Sequence, residues 1–375
     1  MPHQRIISSV TSDLVSDQRV HRVCSTLYHQ SYDVILIGRK KRNSLSIPGR
    51  EYKTRRLVLP AEKGALFYAC FNLVLFIRLL FSRADLLISN DLDSLPANAL
   101  VSRLRGIPLL YDSHEFFTEV PELIDRPAIR NIWLWLEKFF IGWPSAWMTV
   151  SASIAKAYNE RYGIEMEIVR NFPEIRDAEG EIPEDKKIEK NGRRLIIYQG
   201  SVNVDRGLAE MMDAMEDLPD FELLICGDGD VYGELQQKKK SLPSGERIRF
   251  TGRIALEELH YYTAQADLGI SIEKLRGLSY SFALPNKVFD YLQAGLPVLV
   301  SALPEVMNLN DDYHFAQVIK KVEPQSIVNA VKDLFGQGGR ILELRQKAQL
   351  AAKELNWDAE KNKVLKLVRG LLSPS

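Results

Sequence analysis

The sequence predicts an α/β protein of two domains, each built on a parallel sheet. Residues 267–301 run strand, loop, helix, strand, which is the repeating unit of a parallel sheet. Residues 5–37 open the chain with the same alternation. Between residues 172 and 194 prolines, acids and lysines displace the apolar pattern, as in a linker, and a strand pattern then begins again. With 375 residues the chain is long enough for two cores.

Composition excludes several classes of protein. The chain is 46% hydrophobic and 26% charged with a formal net charge of zero, so wholesale nucleic-acid binding is not indicated. Its three cysteines, Cys24, Cys70 and Cys226, are far apart in sequence. They fit neither a disulfide framework nor a zinc site and suggest a reducing, cytoplasmic compartment. Residues 1–5 lead into a strand pattern rather than a signal peptide.

The first half begins with a predicted strand over 5–10, a helix carrying Val20, Val23 and Leu27, and a strand over 33–37. The loop over 11–19 has no G-x-G-x-x-G pattern, so the dinucleotide fingerprint of a dehydrogenase is missing. Its charged residues Asp13 and Arg19 are candidates for contact with a substrate. Further predicted strands cover 85–89, 108–111, 147–151 and 168–171, and further helices cover 132–141 and 154–162.

Residues 39–56 are strongly basic, and residues 65–81 are almost entirely apolar. The apolar run is marginal as a membrane span, because it is short and carries Arg78. Two interpretations remain open. The pair is either a solvated loop followed by a core helix, or a surface of residues 39–81 that rests on anionic lipid and receives a lipid-linked acceptor.

Polar residues follow two predicted strands of the first half. Asp91 and Asp93 form a D-x-D pair, but two nearby carboxylates are common by chance, and no metal site is predicted. His114 and Glu115 follow the strand over 108–111, and the carboxyl ends of parallel strands line the crevice of such sheets. His114 is therefore a candidate for substrate contact or acid–base chemistry, although a lone histidine is often structural.

The second half starts with a predicted strand over 195–198 and a loop that contains Gly200, Arg206 and Gly207. Glycines let the backbone approach a phosphate, and an arginine binds one bidentately. Strands over 221–226 and 248–251 are followed by residues 227–230 and by Arg253. Predicted helices cover 208–215, 256–264, 326–335, 341–354 and 357–371.

The helix that starts near Pro285 has an unusual beginning. Leu284 would be its N-cap, and leucine is a poor cap, so the first amides lack a side-chain acceptor. Lys287 places a positive charge in the same turn, where lysine is otherwise unfavourable. An anion such as a diphosphate would satisfy both, while Asn286 and Asp290 share a face for further contacts. The alternative is an ordinary surface helix with solvated polar residues.

These motifs together resemble the GT-B glycosyltransferases, most closely the family 4 type of bacterial cell-surface assembly, and the resemblance covers nearly the whole chain. The matching segments are residues 111–115, 149–151, 171–173, 199–207, 226–229, 251–252, 284–291 and 294–298. The resemblance implies two Rossmann-like domains that face a cleft. Residues 1–172 with a returning helix over 357–375 would bind the acceptor, and residues 173–356 would bind the nucleotide sugar.

The resemblance also implies roles for individual residues. Arg206 and Lys287 would hold the diphosphate, with backbone amides near Pro285 and Asn286. Asp290 would bind the ribose hydroxyls. The remaining donor-side candidates are Gly200, Gly207 and Arg253, of which Arg253 would lie near the base. His114 would lie near the donor sugar. The acceptor-side candidates are Asp13, Arg19 and Glu115. Transfer would retain anomeric configuration, with no cofactor beyond the nucleoside diphosphate sugar and no metal.

Four departures from the family pattern stand out. The family has two glutamates eight positions apart; Asp290 replaces the second and Phe282 stands at the first position. Glu273 is near in sequence but out of register. Ser201 stands where an arginine is usual, Arg206 replaces a lysine, and residues 12–19 replace a twin-glycine loop. Three rival functions remain: a nucleotide-sugar epimerase, a non-catalytic partner subunit and, least favoured, a dehydrogenase.

Overall fold

The computed structural model describes residues 3–15, 17–47, 49–175, 181–275 and 277–373. The middle of the predicted linker, residues 176–180, lies outside these ranges, as does Ser16 of the 11–19 loop. The described chain divides into two compact units. The first unit comprises the residues up to Asn171 together with Gly277–Ser279 and those from Glu360 onward, and the second comprises the remainder.

The first unit contains a seven-stranded parallel sheet with helices between its strands. The strands are β1 (Arg5–Asp13), β2 (Asp33–Lys40), β3 (Lys53–Val58), β4 (Leu86–Asn90), β5 (Leu109–Ser113), β6 (Ala146–Thr149) and β7 (Glu167–Ile168). The helices are α1 (Gln18–His29), α2 (Gly64–Leu80), α3 (Leu95–Arg105), α4 (Pro121–Ile124), α5 (Pro127–Phe140) and α6 (Ala152–Tyr162).

The strand order is β3-β2-β1-β4-β5-β6-β7, and every pairing is parallel. All residues of β4 and β5 are buried, as expected for strands covered on both faces. The order reverses between β1 and β4, which is the position where ligands bind in such sheets. Aligned pairs such as Ser8↔Ile88 place the carboxyl ends of these two strands side by side.

The second unit contains a six-stranded parallel sheet. Its strands are β8 (Arg194–Gln199), β9 (Phe221–Cys226), β10 (Ile248–Gly252), β11 (Leu268–Ser271), β12 (Val298–Ser301) and β13 (Ala316–Ile319). Its helices are α7 (Leu208–Ala214), α8 (Tyr232–Ser241), α9 (Leu256–Thr263), α11 (Asn286–Gln293), α12 (Pro304–Tyr313), α13 (Pro324–Gly336) and α14 (Arg340–Glu354). Helix α10 (Gly277–Ser281) begins among the residues of the first unit.

The order of this sheet is β10-β9-β8-β11-β12-β13, so its six positions repeat the first six positions of the sheet in the first unit. Its reversal lies between β8 and β11, which pair at Leu268↔Ile196. The apolar residues of the strands are buried on both faces, for example Ile197 and Leu299. This arrangement places the loops after β8 and β11 next to each other.

The last helix, α15 (Trp357–Leu372), belongs to the first unit from Glu360 onward. The Glu360 carboxylate accepts a hydrogen bond from the Arg170 amide at 2.9 Å, and the Lys363 ammonium donates to the Ile168 carbonyl at 3.0 Å. Both bonds attach the helix to the end of the last strand of the first sheet. The alternating α/β fold of two sheets is therefore the class that the sequence predicts.

The structure corrects the interpretation of residues 39–81 as a solvated loop and a core helix. The basic segment contains β3, an edge strand whose lysine and arginine side chains protect an unpaired edge. Helix α2 is a core helix on one side only: Phe67, Phe71, Leu75 and Leu79 are buried, whereas Leu66, Leu73 and Ile77 are exposed. Strand β13 and helix α12 were absent from the sequence-based assignment. None of the helices in the described ranges is both long and apolar enough to cross a membrane.

Candidate active site

The loop after β8 is packed so closely that one of its own positions and one position of the turn after β9 require glycine. A Cβ on Gly227, in the neighbouring turn, would lie 1.8 Å from the Gly200 carbonyl oxygen. A Cβ on Gly207 would lie 2.3 Å from the Ile272 carbonyl oxygen, and its φ of +72° also favours glycine. The glycines therefore hold the backbone of this loop against β9 and β11.

Glu273 is the centre of an ion cluster at the carboxyl end of β11. Its side chain is 2% exposed, and its Oε1 atom lies 2.5 Å from the Lys287 ammonium and 3.6 Å from the Arg206 guanidinium. The Ser271 hydroxyl donates to the other carboxylate oxygen at 2.9 Å. Burial by itself would raise the pKa of Glu273, but Lys287 and Arg206 hold it below its usual value. Two cations thus converge on one carboxylate.

The two cations are also fixed by aromatic rings. The Lys287 ammonium lies 4.6 Å from the centre of the Tyr198 ring, and its Cε atom borders Gly200. The Arg206 guanidinium lies 4.8 Å from the centre of the Tyr280 ring. Its buried Nε atom has no hydrogen-bond partner among the residues that the structure describes. One carboxylate and two cations leave a net positive charge and an unused donor beside the loop, which is a suitable environment for an anion.

The amino end of α11 differs by one residue from the sequence-based prediction. Pro285 occupies the N-cap position, not Leu284, and Asn286 is the first helical residue. The helix has no side-chain cap bond and no acid in its first turn. Pro285 has no N–H, so it orients the following amides rather than donating itself. Asn286 is exposed at this end of the helix, which therefore presents its positive dipole to solvent.

Asp290 lies one turn further along α11 and is half-buried. Its carboxylate accepts a hydrogen bond from the Gln199 side chain at 2.9 Å, and Gln199 in turn accepts one from the Thr263 hydroxyl at 2.7 Å. These bonds fix the orientation of the carboxylate. Arg253 is exposed immediately after β10, whose last residue, Gly252, accepts a hydrogen bond from the Gly227 amide.

The first unit has its own ion cluster at the corresponding strand ends. The ring nitrogens of His114 lie 3.2 Å from a carboxylate oxygen of Asp91 and 3.2 Å from one of Asp112. The Arg19 guanidinium binds the Asp112 carboxylate at 2.6 Å and donates to the Val169 carbonyl at 2.6 Å. Asp91 holds a left-handed backbone with φ of +57°, and its Oδ1 accepts the His114 amide.

Burial and pairing shift the pKa values of His114, Asp112 and Asp93. Burial disfavours the imidazolium of His114, but Asp91 and Asp112 outweigh it and raise its pKa to about 9. Burial favours the neutral acid of Asp112, yet Arg19 and His114 lower its pKa to about 2. Burial raises the pKa of Asp93 to about 7, and the charge of Asp91 adds to the effect. At neutral pH His114 is therefore a cation whose two N–H groups are already engaged, which is unsuited to proton transfer.

The structure corrects the role predicted for Arg19. This side chain is 3% exposed and neutralises Asp112, so it orders the cluster around His114 instead of meeting an acceptor. The carboxylate of Asp13 binds the Ser44 hydroxyl and lies 3.4 Å from the Arg56 guanidinium. Glu115 is exposed next to His114.

Sequence reasoning missed the part that Glu273 has in the site. Its spacing from Lys287 matches no glutamate pattern of the family, because the chain between them is a loop and a short helix. The available signal was a lone acid after a buried strand, which is where site residues of parallel sheets occur. Lys287 likewise borders Gly200, next to Ser201, the position at which the family has its arginine. Within the described ranges, His, Cys, Asp and Glu side chains form no group of three or more suited to bind a metal.

The fold and this cation-lined loop define the class as a two-domain α/β protein of the GT-B type. Two family models match: "Glycosyltransferase Family 4" over residues 17–173 and "Glycosyl transferases group 1" over residues 181–355. Together they span most of the chain. The chain belongs to the GT-B glycosyltransferases of the family 4 type.

Similar proteins include a curated relative and many solved structures. The alpha-monoglucosyldiacylglycerol synthase of Streptococcus pneumoniae is 27% identical over 115 residues, which are 30% of this chain and only 24% of that protein. Sucrose-phosphate synthase from Thermosynechococcus elongatus matches with a TM-score of 0.80 at 17% identity, covering 100% of both chains. Alr3699/HepE of Anabaena, in complex with UDP and glucose, matches with a TM-score of 0.76 at 15% identity, covering 98% of this chain and 100% of that one. At such identities the structures show the common fold.

Proposed function

We propose that this chain transfers a sugar, with retention of anomeric configuration, from a nucleoside diphosphate sugar to a cell-surface glycan or lipid-linked acceptor. The observation that carries the proposal is the convergence of Arg206 and Lys287 on Glu273 beside the Gly200 loop. When the bond to the anomeric carbon breaks, negative charge develops on the departing diphosphate. Cations that are already fixed in place stabilise that charge without reorganisation.

Each donor-side residue has a role in this proposal. Arg206 and Lys287 bind the diphosphate, assisted by the amides that follow Pro285. The Asp290 carboxylate, oriented by Gln199, accepts hydrogen bonds from the ribose hydroxyls. Arg253 extends toward the base from the end of β10. Because the protein's own cations supply the positive charge, the proposed reaction needs no metal.

We assign to Glu273 the place of the glutamate that the family pattern lacks, as a positioning residue. Among the residues that the structure describes, Glu273 is the one carboxylate that pairs with Lys287, whose side chain is 10% exposed. A buried ammonium is costly without a counterion, so Glu273 holds Lys287 beside the phosphate loop. Lys287 and Glu273 together would then replace the arginine that the family has at the position of Ser201 and the glutamate that it has at the position of Phe282.

The acceptor side of the proposal is supported less directly. His114, Glu115 and Asp13 are the candidate contacts in the first unit. His114 would act as a fixed cation rather than as an acid or base, because both of its ring nitrogens face carboxylates. The similar proteins include an alpha-monoglucosyldiacylglycerol synthase and a protein in complex with UDP and glucose, which supports a nucleotide sugar donor and a lipid-linked acceptor. We place the enzyme in the cytoplasm, in peripheral contact with the membrane through residues 39–81.

The donor is tested by a thermal-shift screen of UDP, GDP, ADP and their sugars, because a ligand stabilises the folded state that binds it. With the donor found, Arg206→Ala and Lys287→Ala should each reduce turnover on the order of a hundredfold or more. Lys238→Ala is the control, since Lys238 pairs with Asp213 on a different surface of the same unit. Normal turnover in both site variants would disprove the assignment.

The same assay separates the rival functions. A transferase releases nucleotide faster when an acceptor is present, whereas an epimerase converts the donor sugar without an acceptor. A non-catalytic subunit would release no nucleotide, and failure to bind any nucleoside diphosphate by calorimetry would favour it. The non-catalytic subunit is a rival because the first glutamate of the family pattern is absent. Glu273 supplies a carboxylate in the site.

A further inference from the structure

Three helices of the first unit have an apolar side that faces solvent. Helix α3 packs against α2 and α5, and each of the three helices buries one side within the unit. The outward side is formed by Leu66, Leu73, Ile77, Leu100, Leu104, Ile129, Ile132, Trp135 and Phe139, with Phe81 just beyond α2. We call these residues the outer apolar face. Phe81 is 83% exposed, Leu104 66% and Trp135 62%. A surface helix of a globular protein normally has a polar outer side.

The outer apolar face is continuous across the three helices. The Arg105 side chain of α3 donates to the Leu79 carbonyl of α2 at 3.0 Å. The Arg103 guanidinium lies 5.1 Å from the ring centre of Trp143, which follows α5. The rings of Trp143 and Phe139 are 5.4 Å apart, and those of Phe139 and Trp135 are stacked at 5.7 Å. Trp135, Phe139 and Trp143 thus form one connected group.

The charges on these helices are almost all positive. Their only acid is Glu137, which is fully buried. Their five cations are Arg78, Arg103, Arg105, Arg130 and Lys138. Arg130 binds Glu119 and Arg105 binds backbone carbonyls. Arg78, Arg103 and Lys138 are exposed.

We propose that the outer apolar face docks on an anionic lipid bilayer, with the aromatic side chains in the interfacial layer and Arg78, Arg103 and Lys138 at the headgroups. An apolar surface that carries cations and no exposed acid is complementary to such a membrane. Tryptophan is suited to the interface because its ring is apolar and its N–H polar. A second copy of the chain would place like charges together, which disfavours self-association. The basic segment before α2 adds less, because Lys53 and Arg56 pair within the unit.

This inference deepens the proposed membrane contact and is tested without donor or acceptor. The full chain is co-sedimented with vesicles of phosphatidylcholine alone and of equal parts phosphatidylcholine and phosphatidylglycerol. Binding should require the anionic lipid and weaken with salt. The double variant Trp135→Ser/Phe139→Ser should lower the partition coefficient on the order of tenfold or more, because two large apolar side chains are removed. Arg78→Gln/Lys138→Gln should lower it about fivefold for each cation.

The matched control is Leu342→Ser/Leu350→Ser on α14, whose side chains are 62% and 59% exposed in the second unit. It should bind vesicles as the unaltered chain does. Equal binding to both vesicle types, or equal loss in the control, would overturn the proposal. Sedimentation velocity without lipid tests whether a second copy of the chain occupies the face. A dimer that dissociates in the Trp135→Ser/Phe139→Ser variant would assign the face to self-association. Nucleotide binding is also measured for each variant, because these side chains lie outside the proposed donor site. A loss of vesicle binding with unchanged nucleotide affinity then concerns the outer apolar face alone.

Discussion

The two units share a strand order, and each has an ion cluster at the strand ends where that order reverses. In the first unit, the cations Arg19 and His114 face the carboxylates of Asp91 and Asp112. In the second, two cations share the single carboxylate of Glu273. In the first cluster each cation faces a carboxylate and Asp93 lies beside them, whereas the second cluster has an excess of positive charge. The same scaffold therefore gives one unit a polar cluster without excess positive charge and the other a potential site for an anion.

The helices that follow β1 and β8 also begin differently. Asp17 caps α1 by accepting the Val20 amide, whereas α7 begins after Gly207 without a side-chain cap bond. The helices that follow β4 and β11, α3 and α11, both lack a side-chain cap bond, but only α11 begins beside an excess of cations. A helix start beside excess cations is a favourable position for an anion.

The comparison is tested most strongly by removing one carboxylate from each cluster. Glu273→Gln and Asp112→Asn should each lower the free energy of unfolding by about 3–5 kcal/mol, because a buried cation loses its counterion. Only the Glu273→Gln loss should be recovered when a nucleoside diphosphate is added, since the phosphate can replace the carboxylate. Denaturant unfolding of both variants, with and without UDP or GDP, measures this. If the nucleotide rescued Asp112→Asn equally, the assignment of the anion site to the second unit would be incorrect.

The second prediction concerns pH and the first unit. The pKa of His114 is about 9 in the folded protein and 6.5 when unperturbed, so its stabilising contribution is complete below pH 6.5. That contribution falls as pH rises toward 9, by on the order of 3 kcal/mol. The variant His114→Gln should flatten the stability profile across this window.

The control for this profile is His260→Gln, at an exposed histidine of α9. It should retain the slope of the unaltered protein. A slope that survives His114→Gln would show that another group titrates there.

The smallest effect concerns the open end of α11. Pro285→Asp adds a carboxylate that can cap the helix, so relative to Pro285→Ala it should stabilise the ligand-free protein by about 1 kcal/mol. The same carboxylate should weaken nucleoside diphosphate binding, because it competes for the amides and repels the phosphate. Thermal unfolding and calorimetric titration of the two variants measure both effects. Tighter binding to Pro285→Asp would exclude a phosphate at this helix end.

Much of the fold could be predicted because its strands are short apolar runs that alternate with helices. The sequence predicts strand β9 over Phe221–Cys226, and the structure confirms these bounds. Edge strand β3 was missed because its side chains are mostly cationic and only Leu57 is buried. Helix α2 is ambiguous for a different reason. A helix that is apolar on all sides has no polar stripe to show which side faces solvent.

The ion clusters show the same limit. Arg206, Lys287 and His114 were identified from their local patterns. The spacing of Glu273 does not match the family pattern, and the sequence predicts that Arg19 contacts a substrate although it is buried against Asp112. Arg19 and Asp112 are 93 positions apart in sequence, so no local pattern relates them.

By itself the sequence determined the alternation of strands and helices, the glycines of the phosphate loop and the uncapped start of α11, because these depend on neighbouring residues and on backbone sterics. Only the tertiary structure decided which charges are neutralised and which apolar side chains remain exposed. Pairing strands brings distant side chains together, and the energy of a charge depends on its burial and its partners, neither of which is a local property of the chain.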